Sequence, residues 1–310
     1  MNNRKLALVF IVLLGVWGIT KYTTKDTTRS FKTDLISIDT SQVTIIKIDP
    51  KGPEEAEMTL QRNTTSHWIA TRGTVTVPAD RGAVNSFLNN VQLIKTKRVA
   101  AKKKEKWSDY EVDEANGTRI KIYAGSQLLE DFIVGRFSFN QQTRQGLSFV
   151  RIDGGDEVYA IDGFLSMTLG QGFNAYRNKK LLTIDKEDIA SLSLTREDGV
   201  VRSFIKENNQ WKSEDVLIDS SAITSYLSGI ENIVSSNFVD DIDPTTYSMP
   251  KYRTLQISGN NLSSPIILTC YRDEAKIPPY ILQSSENEAS YFSSEESDLF
   301  QKVFGVLEAF

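Results

Sequence analysis

One stretch of this chain occurs twice, and that constrains the fold more than any other feature. Residues 80–94 return as residues 219–233 at a constant offset of 139 positions. Asp80/Asp219, Ala83/Ala222, Ser86/Ser225, Leu88/Leu227 and Ile94/Ile233 are identical, and Val84/Ile223, Phe87/Tyr226 and Val91/Ile230 keep their chemical character. Ala83, Val84, Phe87, Leu88, Val91 and Ile94 fall at helical spacing on one face, the pattern of an amphipathic helix. An aspartate stands just ahead of each copy, where its carboxylate can accept from the free amides and meet the positive end of the helix dipole. A chain with two copies of one capped helix must bury the same apolar stripe twice.

The surroundings of each copy also repeat. Short alternating runs at 43–48, 58–62 and 67–70 precede the first helix, and runs at 118–123, 129–134, 147–152 and 158–161 follow it. Asn116-Gly117, Gly125-Ser126 and Gly154-Gly155 supply hairpin-type turns between them. The second half repeats this order at 189–194, 202–206, 254–258, 266–271 and 280–283, with Trp211 standing where Trp68 stands in the first. The reading is an α+β protein of two tandem homologous lobes, 38–181 and 182–310. Each lobe is an antiparallel sheet packed against one amphipathic helix, with a linker over about 170–180.

Ahead of the lobes, Arg4 and Lys5 precede an uncharged apolar run over 6–19, with Trp17 and Tyr22 suited to a membrane interface. The run is short for a span, but Lys21 can snorkel and no small-residue cleavage site follows it. Residues 1–25 are therefore expected to be an uncleaved transmembrane helix rather than a cleaved signal, and 26–37 a polar linker. The two cations place the start of the chain in the cytoplasm and its bulk outside.

Composition excludes several classes of chemistry. With 36 basic and 40 acidic residues, the net charge of −4 argues against nucleic acid as the main partner. One cysteine, Cys270, allows no internal disulfide, and one histidine, His67, beside Trp68, reads as structural rather than catalytic. There is no nucleotide-binding glycine loop and no nucleophile elbow. No metal or cofactor is expected. Asp240, Asp241 and Asp243 lack calcium-loop spacing, and the pairs Glu54-Glu55 and Glu295-Glu296 read as solvated.

The contrast between the two halves is one of charge. Lys102, Lys103, Lys104 and Lys106 follow the first helix, whereas Asp240, Asp241 and Asp243 follow the second. Two readings stay open: an interaction face for lipid headgroups, an acidic partner or the opposite loop, and two solvated loops whose charges drifted apart.

The order of elements resembles a bacterial family, domain of unknown function DUF4340. The resemblance is carried by the N-terminal apolar run, Trp68, Val77-Pro78-Ala79-Asp80 at the helix start, and Tyr110 after the basic run. It continues through Phe132-Ile133-Val134-Gly135, Phe149-Val150-Arg151, Val158-Tyr159-Ala160-Ile161 and the segment from Arg177 to Leu182. That family has no established catalytic residues. The resemblance implies a companion of ABC-type export systems, including those associated with gliding motility. The expected function is a non-enzymatic accessory or scaffold subunit of a membrane complex, single-pass in the bacterial inner membrane with its bulk in the periplasm. A second reading is an envelope module that binds glycan or peptide between the lobes. A third, an envelope hydrolase, requires an acidic pair converging in a cleft.

Overall fold

A computed structural model describes residues 33–51, 56–63, 67–169, 171–214, 216–242, 249–275, 277, 279–294 and 298–310. In the first half the strands are β1 (Asp34–Ser37), β2 (Ile45–Asp49), β3 (Met58–Arg62), β4 (Trp68–Arg72), β5 (Val75–Pro78), β6 (Leu93–Ala101), β7 (Thr118–Ala124), β8 (Gln127–Asn140), β9 (Gln145–Ile152) and β10 (Val158–Asp162). They form one ten-stranded antiparallel sheet in the order β1-β6-β10-β9-β8-β7-β2-β3-β4-β5. Period-two patterning explains the strands. In β7, Thr118, Ile120 and Ile122 are buried, while Arg119 and Lys121 between them stay partly open to water. At the β7–β8 turn Gly125 has φ 59°, a left-handed conformation that a side chain would disfavour.

In the second half the strands are β11 (Lys180–Thr183), β12 (Ile189–Arg196), β13 (Val201–Glu207), β14 (Gln210–Ser213), β15 (Val216–Leu217), β16 (Asn232–Val234), β17 (Lys251–Gly259), β18 (Ile266–Arg272), β19 (Tyr280–Ser284) and β20 (Asn287–Ser293). Eight of them form a sheet ordered β15-β14-β13-β12-β17-β18-β19-β20, and β11 pairs with β16. This is the strand order of the first half with every label advanced by ten. One pairing differs. β6 pairs with β10 over four residues, but on the other side only a single bridge, Phe238 to Phe292, lies beyond β16. Phe238 stands 139 positions after Val99, which pairs with Tyr159 in the full β6–β10 ladder.

The helices are α1 (Arg81–Val91), α2 (Leu165–Leu169), α3 (Ser220–Ile230) and the C-terminal α4 (Val306–Ala309), which follows a wide turn over Gln301–Gly305. Asp80 caps α1 by accepting from the Ala83 amide at 2.7 Å, and Asp219 caps α3 from the Ala222 amide at 2.8 Å. The equivalent aromatic positions have different environments. The Phe87 ring meets Tyr176 edge-on, whereas Tyr226 buries its hydroxyl and donates to the Val303 carbonyl in the wide turn.

The expected fold class is corrected: the chain is mostly antiparallel β, not α+β. α1 adds Val84, Phe87, Leu88 and Val91 to the first core, but most of that core comes from strands, from Leu35 and Ile36 in β1 through Leu60, Ile120 and Phe132 to Ile161 in β10. The reason is size. An eleven-residue helix is about 16 Å long, while ten strands span about 45 Å, so one helix cannot form the second layer of such a sheet. A separate small core, Val112, Ile133, Phe149, Val158 and Ala160, is packed beneath Trp107 and Tyr110. A transmembrane helix is also expected over residues 1–25. It lies outside the described residues, and among these no helix is long and apolar enough to cross a membrane.

Candidate functional site

The structure places the charged residues singled out above in two separate settings. Lys102 and Lys103 are exposed just after β6, and Lys104 and Lys106 belong to a single helical turn, Lys104–Lys106. Lys104 lies 5.2 Å from the centre of the Trp107 ring. Lys106 pairs with Asp109 at 2.9 Å, and that hydrogen bond holds its ammonium pKa above the ordinary value. Trp107 anchors the turn. Its indole N–H donates to the Asp156 carbonyl at 2.9 Å, and the guanidinium of buried Arg151 lies 3.8 Å from its ring. Arg151 also donates to the Val112 carbonyl and pairs with Glu114. The basic loop is therefore packed from below and open to water above.

Asp240 has a different setting. Both of its carboxylate oxygens take Nη1 of Arg177, at 2.7 and 2.8 Å. Arg177 is 1% exposed, its guanidinium centre stands 3.7 Å from the Phe238 ring, and its Nε makes no hydrogen bond among the described residues. Burial pulls the Arg177 pKa down, while the Asp240 partner pushes it back up. Asp241 is exposed, and Asp243 lies outside the described residues, as do Glu54-Glu55 and Glu295-Glu296. Lys102, Lys103, Lys104 and Lys106 are not brought to Asp240, whose ion pair is with Arg177. Among the described residues no group of three or more potential ligands is placed to hold a metal.

Arg177 is the residue that sequence reasoning missed. It sits in the segment between the lobes and joins them. Ala79 bridges to Arg177, the Asn178 amide donates to the Pro78 carbonyl, and the Asp80 amide donates to the Tyr176 carbonyl. On the other side the Asn287 side-chain amide donates to the carbonyls of Asn178 and Lys180. The available signal was a cation directly after two aromatics, Phe173 and Tyr176, in a stretch that otherwise reads as a turn.

Beside this junction the free edges of the two large sheets, β5 and β20, approach one another. Between them lies a groove of about 520 Å³, lined by Thr74–Val77 on one side and by Glu288, Ala289, Tyr291 and residues 239–242 on the other. The β4–β5 register pairs Arg72 with Val75 and Ala70 with Val77. Val75 and Val77 therefore bond to β4, and Thr76 turns its N–H and C=O toward the groove. Pro78, next along this outward edge, has no N–H to leave unpaired. On β20, pairing with 237–239 covers only the end from Tyr291 to Ser293, so Glu288 and Ala289 stay uncovered. The charged residues lining the groove are all acidic: Asp240, Asp241 and Glu288. A second concavity of about 490 Å³ lies on the first lobe, among Val134, Gly135, Arg136, Phe137, Met167 and Leu169.

The family model described as Domain of unknown function (DUF4340) matches residues 70–251, a stretch that holds β5, Arg177 and Asp240. No curated protein and no solved structure matches the chain.

Proposed function

The chain belongs to the DUF4340 family, and on that premise we propose that it is a non-enzymatic accessory or scaffold subunit of a membrane complex, attached to the membrane through its N-terminal segment. A transporter of the ABC type is the partner complex this reading favours, with the lobes on the periplasmic side of the bacterial inner membrane. The observation that carries it is the groove where two sheet edges meet. An exposed edge offers backbone donors and acceptors to any extended segment, and pairing there needs no catalytic group from the chain. With Asp240 already paired with Arg177, Glu288 on the groove wall suits an extended segment that carries a lysine or arginine.

The alternative is a ligand-binding module using the same groove. Its lining contains one aromatic side chain, Tyr291, and a run of backbone edge, which favours a peptide over a sugar. The test is affinity purification of the full chain from mild detergent, in parallel with Thr76→Pro. That variant removes one outward N–H while the pairing of Val75 and Val77 with β4 is retained. The full chain is expected to retain a membrane protein that Thr76→Pro loses. Recovery of no membrane partner sinks the scaffold reading. Equal recovery by both proteins removes the groove from it.

A further inference from the structure

One end of the first lobe carries large apolar side chains in the open. Phe139 at the end of β8, Phe164 just ahead of α2 and Met167 within α2 are 50%, 52% and 56% exposed. Phe137 joins the rings into one patch, with its centroid 5.2 Å from Phe164 and 6.5 Å from Phe139. Gly146 lies opposite Phe139 on β9, and a Cβ there would press on the Phe137 and Phe164 rings at 2.9 to 3.1 Å. The missing side chain lets the rings lie against the backbone. The patch also projects: β7 stops pairing at Val134, while β8 runs on with β9 to Asn140. Contiguous exposed apolar surface of this kind marks a contact site.

The described chain enters at this same end. The Thr96 amide donates to Thr33, Thr96 pairs with Ile161, Ile161 with Ser148, and Ser148 with Phe137. That is one row across β1, β6, β10, β9 and β8, so Thr33 stands about 19 Å from Phe137 at ~4.8 Å per strand. The uncharged apolar run over 6–19 precedes Thr33 in the sequence, and the residues joining them reach at most about 45 Å. Two cations belong to the same hairpin, Arg136 next to Phe137 on β8 and Arg144 in the β8–β9 turn.

We propose that this end of the first lobe is a lipid-contact surface, which sets Phe139, Phe164 and Met167 into the interface of an anionic bilayer with Arg144, in the β8–β9 turn, at the headgroup phosphates. The proposal rests on the membrane attachment inferred above. It makes the lobe lie down on the membrane instead of swinging on a tether.

The test uses the full chain in vesicles of phosphatidylethanolamine and phosphatidylglycerol. A polarity-sensitive fluorophore is placed at Gln141→Cys, on the turn of the projecting hairpin, or at Val216→Cys, an exposed site on the second lobe. Cys270 is buried and its thiol is pushed up to about 12, so it stays unlabelled. Nitroxide-bearing lipids are expected to quench the Gln141 probe and not the Val216 probe. Phe139→Ser with Phe164→Ser is expected to abolish that quenching, with the unfolding midpoint reporting that the fold persists. An unquenched Gln141 probe on a chain that resists alkaline carbonate extraction overturns the surface and leaves attachment standing. Release by carbonate overturns attachment, and the surface then stands or falls on whether quenching persists. Protection of the probe in native membranes but not in these vesicles assigns the patch to a protein and overturns the lipid proposal.

Discussion

Asp240→Ala tests the lobe junction most directly. The substitution leaves the Arg177 guanidinium in place, 1% exposed, against the Phe238 ring and with its Nε already lacking a hydrogen bond. Removing one partner of a fully buried ion pair costs about 3–5 kcal/mol, chiefly because a charge is stranded. Asp240 is 30% exposed, so water can replace part of what the carboxylate supplied. That discount brings the expected loss to about 2–3 kcal/mol. The sign of the double variant is the sharper test. Arg177→Met combined with Asp240→Ala removes the stranded charge and keeps an apolar stem against Phe173 and Phe238. It should recover about 1 kcal/mol relative to Asp240→Ala alone. Urea unfolding of the full chain, followed by tryptophan fluorescence, reads both, with Trp68 and Trp107 in the first lobe and Trp211 in the second. An Asp240→Ala protein within about 0.5 kcal/mol of the parent, or a double variant less stable than the single, refutes the argument.

Three further outcomes follow from the geometry. In Gly135→Ala the new methyl group would run into the Tyr110 and Glu111 carbonyl oxygens and the Val112 side chain, so a loss of about 2–3 kcal/mol is expected in thermal unfolding, and an unchanged midpoint would contradict the close packing. Cys270, its thiol pushed up to about 12 by burial, should resist iodoacetamide at about pH 8 until the chain unfolds; prompt alkylation of the native protein would show that strand β18 opens readily. Hydrogen bonds from Ser221 and from the Ala222 amide hold the Asp219 carboxyl below its ordinary 3.8. Its cap therefore contributes fully above that value and is lost as pH falls through the lower folded pKa, so Asp219→Asn should flatten the stability profile below about pH 4, measured as unfolding midpoints in acid.

Much of the local structure is legible in the residues alone. Two apolar stripes at helical spacing, each behind an aspartate, give α1 and α3 with their caps, because a helix and its first free amides depend on neighbours within a few positions. Alternation likewise gives strands such as β7 and β12, since burial on one face has period two. Sheet width is not encoded that way. The ladders β1–β6, β2–β7 and β12–β17 join segments far apart in the chain, and their sum turns an expected helix-and-sheet lobe into a mostly β one.

The charged runs show the same division. The contrast between Lys102–Lys104 and the aspartates from Asp240 onward is visible in the alignment of the halves, but its consequence is not. Lys106 is paired locally by Asp109, whereas Asp240 is held by Arg177 from 63 positions away, in a segment that reads as a plain turn. The sequence by itself determined the two capped helices and strands such as β7 and β12, because those depend on neighbours along the chain, but not β6, where Ile94 ends the helical stripe in a strand. Only the tertiary structure decided which charge meets which and where two sheet edges open onto a groove, because a buried ion's partner and a strand's free edge are set by what folding brings alongside them.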